Sequence, residues 1–239
     1  AYGGDNAIRS LRVRTPITTR LLTYTHRVAV GVVGRGALGA DHGIGVAGRA
    51  ARAVSMFDQR GCVSPHVLYV EEGGKVEPAE WARVLWNALA DLEVELPVGQ
   101  LRSGEASAVH QMRGMAEVRE ASGAGTRDFY ETPGFATVIF EPELDFTVSC
   151  LSRVVYVKPI RNWEVVPEVL DGVKQHLQTV ALEGLGPRRK TLAEMLGQMG
   201  VTRITSFEKA PWPPPWWHHD GSSVLAGMVR WIDLEGEGD

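Results

Sequence analysis

Cysteine is scarce in this chain: Cys62 and Cys150 are its two thiols. They are too few and too far apart for a disulfide framework or a Cys-x-x-Cys metal or redox motif, and unpaired thiols fit a reducing, cytoplasmic setting. Long hydrophobic runs are missing as well. No stretch reaches the roughly 18 consecutive apolar residues that a membrane span requires, and no signal peptide is visible. Neither sign of charge dominates, since 25 Lys and Arg face 29 Asp and Glu for a formal net charge of −4. That balance excludes the basic surface through which a nucleic-acid binder neutralises phosphates. The seven histidines form no His-Glu-x-x-His pattern and no Cys/His zinc spacing. A Gly-x-Ser-x-Gly elbow and a Walker-type phosphate loop are lacking too, which removes the main support for a serine hydrolase or a P-loop enzyme. An initiator methionine is also lacking, and Ala1-Tyr2-Gly3-Gly4-Asp5 reads as the end of a strand entering a helix cap. The expectation is a chain that starts inside a domain.

What is present is an ordinary globular composition. Apolar residues make up 44% and charged residues 23% of 239 positions. At about 150 residues per domain, that is one large or two small domains with a real core. Asp5 can cap a helix running to Arg12 and closed by Pro16. Residues 21–33 are rich in Val, Leu and Thr and predict a strand turning at Gly34. A helix is expected over residues 46–57 and a strand over 65–71. From Pro78 another helix carries Trp81, Val84, Leu85, Ala88, Leu89 and Leu92 at helical spacing. A helix at 105–121, β-rich runs at 135–140, 154–157 and 178–182, and a helix near 188–199 complete the pattern. Strands alternating with helices predict an α/β fold with a largely parallel sheet. Pro211-Trp212-Pro213-Pro214-Pro215-Trp216-Trp217 is compositionally biased and too apolar for a solvated linker.

Gly34-Arg35-Gly36-Ala37-Leu38-Gly39 is a literal Gly-x-Gly-x-x-Gly after a predicted strand. In a dinucleotide-binding turn those glycines let a pyrophosphate approach, and an acidic residue follows about 20 positions later at the end of a second strand. Asp58 has the spacing but follows a helix, and Gly43, Gly45 and Gly48 weaken the helix that the motif needs. A small-residue connection is the competing reading, and these features favour it. The stretch from Asp58 to His66 is more informative. It sets Cys62 in a glycine turn between a helix and a strand, where Arg60 and His66 are near enough in sequence to favour the reactive thiolate. A buried structural cysteine explains the local sequence equally well. Cys150, beside a predicted strand, reads as a small core residue. In His218-His219-Asp220, neighbouring histidines on a strand would face opposite sides, and Asp220 before Gly-Ser-Ser reads as a cap or turn rather than a metal ligand.

Several of these segments together resemble one family. Phe57-Asp58-Gln59-Arg60-Gly61-Cys62-Val63-Ser64-Pro65 resembles the nucleophile segment of the LuxC-type acyl-CoA reductases, a branch of the aldehyde dehydrogenase superfamily. Pro215-Trp216-Trp217-His218-His219-Asp220-Gly221, followed by Met228-Val229-Arg230-Trp231-Ile232-Asp233, resembles that family's C-terminal signature. Tyr2-Gly3-Gly4-Asp5 is similar to the turn after a nucleotide-domain strand, and Thr25-His26-Arg27-Val28 to the strand that approaches the active site. The order of these segments runs through essentially the whole chain.

The resemblance implies an aldehyde dehydrogenase-like α/β fold. Residues 1–33 would end a Rossmann-type nucleotide domain, 34–210 would form the catalytic domain, and 211–239 would return to the nucleotide domain. It implies reduction of a long-chain acyl thioester, on CoA or a protein, to fatty aldehyde with NADPH, or with NADH. In bioluminescent bacteria such enzymes supply luciferase with aldehyde. Cys62 would be the nucleophile, its backbone N–H forming half of an oxyanion hole. His26 would orient or protonate near the site, with a structural role as the alternative, and Gly3, Gly4 and Asp5 would face the cofactor. No metal is implied. Implied partners are the N-terminal part of the same enzyme, which would carry most of the adenosine site, an acyl-transferring or acid-activating protein, and a second copy in a homo-oligomer. The Trp-rich segment would close the catalytic domain or line an acyl tunnel. Two departures stand out. Residues 23–27 lack the glutamate that activates water in hydrolytic relatives, which suits a reductase, and residues 149–153 lack the usual ribose-binding glutamate. Rival readings are a thiol-dependent dehydrogenase that makes acid, and a non-catalytic dinucleotide-binding module with an inert Cys62.

Overall fold

Short runs of Val, Ile, Leu and Tyr, buried along nearly their whole length, build the central sheet. Strands this uniformly apolar belong where both faces are covered, as in parallel sheets wound by helices. The computed structural model describes residues 1–130 and 136–236, apart from the side chains of Ala40 and His42. Two compact units divide the chain: residues 27–213, and residues 1–26 together with 214–239.

The larger unit holds strands β1 (Val28–Val33), β2 (Pro65–Glu71), β3 (Arg127–Phe129), β4 (Thr137–Phe140), β5 (Val154–Ile160), β6 (Leu177–Glu183) and β7 (Arg203–Thr205). They form one sheet in the order β3-β4-β5-β2-β1-β6-β7, antiparallel only at the β3–β4 edge. The chain winds outward from β1 through β2, then returns to the other side of β1 with β6, the doubly wound pattern. Helices α2 (Ala40–Ser55) and α3 (Pro78–Glu95) cover one face, where Ala47, Ala50, Val54, Trp81, Leu85 and Leu89 pack with strand residues such as Leu68 and Val157. On the other face α4 (Ser103–Ala121), α5 (Val166–Leu170) and α6 (Arg188–Gln198) contribute Val109, Val166, Leu170, Leu192 and Leu196 against residues such as Val30, Val67 and Tyr156. The alternation Val67/Leu68 and Tyr156/Val157 between the two clusters is the period-2 signature of a strand.

The smaller unit contains α1 (Asp5–Arg14) and α7 (Val224–Met228). Tyr2 bridges Tyr24, with Gly3 N donating to Tyr24 O at 3.1 Å and Tyr24 N to Ala1 O at 2.9 Å.

The strand expected over residues 21–33 is regular only at Val28–Val33; the residues before it are half-exposed or exposed and enter β pairing through the isolated Tyr2–Tyr24 bridge. Those six residues form the middle of the larger unit's sheet. The helix expected at 46–57 starts earlier, at Ala40, and ends at Ser55, where the backbone turns left-handed. Of its glycines, Gly43 is buried, with the Trp81 indole N–H donating to its carbonyl oxygen at 3.1 Å, while Gly45 and Gly48 are exposed. Strands β3 and β7, with three residues each, are too short to carry a periodic signal. Of the run at 135–140, Phe135 lies outside the described residues.

Candidate active site

Cys62 follows an unusual turn. Phe57, Asp58 and Gln59 have φ of +57°, +49° and +63°, three successive left-handed residues without a glycine. Each such residue costs about 1–2 kcal/mol, so surrounding contacts must impose the conformation. Gln59 is fully buried, and its Nε2 donates to Pro65 O and Val154 O, both at 2.8 Å. Asp58 accepts from the Arg153 Nε at 2.9 Å, and its carbonyl accepts from Ser152 N at 3.2 Å. Leu151, Ser152 and Arg153 are themselves left-handed, with φ of +69°, +56° and +62°. Two left-handed turns, remote in sequence, thus interlock beside the segment that carries Cys62.

The chain then tightens again. Ser64 N donates to Gly61 O at 2.9 Å, placing Cys62 and Val63 at the two central positions of a β-turn that leads directly into β2. Cys62 is partly exposed and carries no disulfide. Arg60 turns to Glu105, with Nη2 at 2.9 Å from its carboxylate. His66 is buried, and its Nδ1 accepts from Ser149 N at 3.2 Å, so the neutral ring carries its proton on Nε2. A further cation, Arg203 at the start of β7, interacts electrostatically with Cys62. Nothing in its local sequence marked it.

Cys150 has a different setting. It packs against the core on the α4 side of the sheet, and burial pushes its thiol above the usual range while Arg113 pulls weakly the other way. An ordinary core role follows.

The Gly-x-Gly-x-x-Gly turn is a packing device. A Cβ at Gly34 would stand 2.6 Å, and one at Gly36 2.7 Å, from Gly184 O, so the glycines bring the β1 and β6 turns together. The anion that such a turn invites comes from the chain itself. Arg35 N and Nη2 each reach the buried Glu71 carboxylate at 2.8 Å, and Arg188 Nη1 does so at 2.7 Å. This is the small-residue connection rather than the dinucleotide fingerprint. A groove of about 980 Å³ runs elsewhere on the larger unit, lined from α2, α3 and the segment 207–212, including Trp212.

Gly3, Gly4, Asp5 and His26 all lie in the smaller unit. Gly4 is the N-cap of α1, Asp5 opens its first turn, and a Cβ on Gly4 would meet nothing within 4 Å. His26 is exposed. The Trp-His-His-Asp signature builds a ring stack in the same unit. His219 lies 4.4 Å from Tyr24 and 4.7 Å, edge-on, from Trp217, while Tyr24 stacks on Tyr2 at 4.6 Å. Among the described residues no three His, Cys, Asp or Glu side chains converge on a metal position, and no helix is long and apolar enough to cross a membrane.

Comparison with known proteins agrees with this construction. The fold is that of aldehyde dehydrogenases: an NAD-dependent aldehyde dehydrogenase from Burkholderia multivorans superposes with a TM-score of 0.66 at 13% identity, over 93% of this chain and 44% of that one. An oxidoreductase from Marinobacter aquaeolei gives 0.65 at 14% identity, over 93% and 47%. An indole-3-acetaldehyde dehydrogenase from P. syringae, solved in complex with NAD+ and IAA, gives 0.61 at 12% identity, over 87% and 43%. The chain therefore spans less than half the length of these structures. A search of the curated proteins found no match. The profile of the acyl-CoA reductase (LuxC) family matches residues 1–231. On that match, the chain belongs to the LuxC acyl-CoA reductase family.

Proposed function

We propose that the chain carries the nucleophile of an oxidoreductase that reduces a long-chain acyl thioester, on CoA or a carrier protein, to fatty aldehyde. The observation that supports this most is the placement of Cys62 in a β-turn at the mouth of β2, just after the left-handed turn Phe57–Gln59 that remote contacts hold in place. Rigid support of that kind is what a nucleophile needs to meet a carbonyl at a fixed angle. The Cys62 thiolate attacks the acyl carbonyl carbon. The new C–S bond forms as the oxygen takes up negative charge, which the Cys62 backbone N–H is suited to receive. Collapse breaks the bond to the carrier sulfur, the carrier leaves as its thiol after taking a proton, and the acyl group stays on Cys62 as a thioester. Residues 23–27 carry no carboxylate of the kind that activates water against such a thioester in hydrolytic relatives, a composition suited to a reductase.

NADPH, with NADH as the alternative, supplies the hydride when bound. The turn at Gly3 and Gly4 fits such a dinucleotide: Gly4 leaves open space where a side chain would stand, and the N–H groups of the first turn of α1 favour phosphate. Asp5 at the same end opposes a phosphate and is better suited to a sugar hydroxyl. His26 is placed in this reading as a residue that orients or protonates near the site. In domain terms, the smaller unit, residues 1–26 with 214–239, belongs with the nucleotide side and the larger unit, 27–213, which includes the strand at Val28–Val33, with the catalytic side. A cytoplasmic enzyme, completed by N-terminal sequence and supplied by an acyl-transferring or acid-activating protein, fits this reading, as does homo-oligomer assembly.

The test is direct. Incubated with a long-chain acyl-CoA and no reductant, the chain should gain the mass of one acyl group, mapped by peptide mass spectrometry to Cys62. A Cys62→Ala variant should gain none. Absence of the adduct, or equal acylation of the variant, would sink the proposal.

A further inference from the structure

We propose that Arg203 is a positioning residue for the nucleophile, a fixed cation that favours the Cys62 sulfur as thiolate; the proposal rests on the reading of Cys62 above. The first observation is register. Pro65 pairs with Ala29, Ala29 with Thr179, and Thr179 with Arg203. These four residues form one row across β2, β1, β6 and β7 at the edge where the parallel strands begin, and Cys62 lies in the turn that enters β2 at that row. A long side chain from the β7 end and a turn from the β2 end therefore share one edge of the sheet.

The second observation is how Arg203 is held. It is only 7% exposed, with Nη1 donating to Ala210 O at 2.7 Å and Nη2 to Lys209 O at 2.6 Å. Carbonyl oxygens fix the direction of a guanidinium without cancelling its charge. Burial pulls the guanidinium below its ordinary pKa, and the negative charge of Cys62 acts against that pull. Such an interaction is mutual: whatever favours the cation beside the thiolate favours the thiolate beside the cation.

The other charges around the turn are otherwise engaged. Arg60 pairs with Glu105, and Asp58 is bound by Arg153, which also takes Glu93 at 3.0 Å. His66 accepts a hydrogen bond at Nδ1 and is neutral in that state. On the segment after β7, Glu208 and Lys209 are exposed. Arg203 is a buried cation whose charge interacts with Cys62.

The experiment is alkylation of the 239-residue chain by iodoacetamide across pH, with Cys62 followed by peptide mass spectrometry. In the unmodified sequence, the Cys62 rate should reach half-maximum below the ordinary thiol value of about 8.5. Arg203→Met should raise that midpoint by about one unit or more, roughly a tenfold slower reaction at pH 7. Arg203→Lys should restore most of the rate, and Arg60→Gln should leave the midpoint where it was. A midpoint in the ordinary thiol range in the unmodified chain overturns the proposal without any variant, so misfolding cannot mask the answer. Identical profiles for the unmodified chain and an Arg203→Met protein with unchanged circular dichroism overturn it too. A low midpoint without acylation by acyl-CoA would count against the acyl-enzyme reading and support the Arg203–Cys62 pairing. Acylation with an ordinary midpoint would do the reverse.

Discussion

Gly31 shows how much one missing methyl group can matter. It sits in mid-β1 beneath the ring of the fully buried Phe207, where a Cβ would come within 2.4 Å of the ring and 2.6 Å of Leu68. Gly31→Ala should therefore overpack the core and cost about 1–3 kcal/mol, read as a lower urea midpoint with unchanged slope. Gly184→Ala should cost more. Its Cβ would meet Ala37 at 2.3 Å and the Ala37 backbone nitrogen at 2.4 Å, its φ is +66°, and backbone cannot swing aside as a ring can. A smaller loss at Gly184 than at Gly31 would contradict this ranking. The two cysteines separate on the same residue-level logic. Burial holds Cys150 as a thiol, so a thiol reagent at neutral pH should modify Cys62 well before Cys150. Equal, slow labelling of both would remove the contrast. From its glycine turn alone, Cys62 reads equally well as a reactive thiol or a buried structural cysteine, and the family resemblance is what singles it out. Arg203 was not legible, because its importance lies in a row of pairings across four strands that no local window contains.

Elements tell a similar story about what a sequence can and cannot convey. The buried strands and the stripe on α3 follow from periodicity alone, since each needs only local apolar spacing to be recognised. The turn before Cys62 does not. Gly61 drew attention to it, yet the left-handed residues are Phe57, Asp58 and Gln59, held by partners almost a hundred positions away. Arg153 is the hub of that support. At 1% exposure it binds Asp58, reaches Glu93 at 3.0 Å, and donates to Leu96 O at 2.9 Å and Pro97 O at 3.3 Å, tying the turn to the end of α3. Arg153→Met should strand two carboxylates and cost about 3–5 kcal/mol. Beyond stability, it should slow Cys62 acylation in protein that remains folded, because the strained turn loses its anchor. Arg153→Lys keeps the charge but cannot serve all four acceptors, so partial recovery is expected. Full-rate acylation in folded Arg153→Met would mean that the turn holds its shape without this hub.

At the scale of the whole molecule, two carboxyl groups at different places in the larger unit should bend its stability in opposite directions with pH. Burial alone would push the Glu71 carboxyl up, but the hydrogen bonds and charges of Arg35 and Arg188 more than reverse this and hold it at about 2. A carboxyl lowered on folding contributes stability above its unfolded value of about 4.3, and that contribution drains away as pH falls toward 2. For a fully buried group the amount at stake is about 3 kcal/mol. Asp128 has the opposite sign. Burial and the neighbouring Glu120 raise it to about 6, so at neutral pH its charge is a cost, relieved as pH falls through 6 toward the unfolded value of about 3.9. Urea unfolding measured from pH 8 to pH 2.5 should therefore show stability rising or level between pH 6 and 4.5, then dropping steeply. Glu71→Gln should lower stability at pH 7 and flatten the acid limb, since the group that takes up a proton on unfolding is gone. Asp128→Asn should be more stable than the parent at pH 7 and lose the rise below pH 6, leaving the acid limb in place. The two substitutions act on separate parts of one cooperative unit, so their effects should add. An acid limb that survives Glu71→Gln intact would show that the carboxylate in the glycine turn is not what fails first in acid.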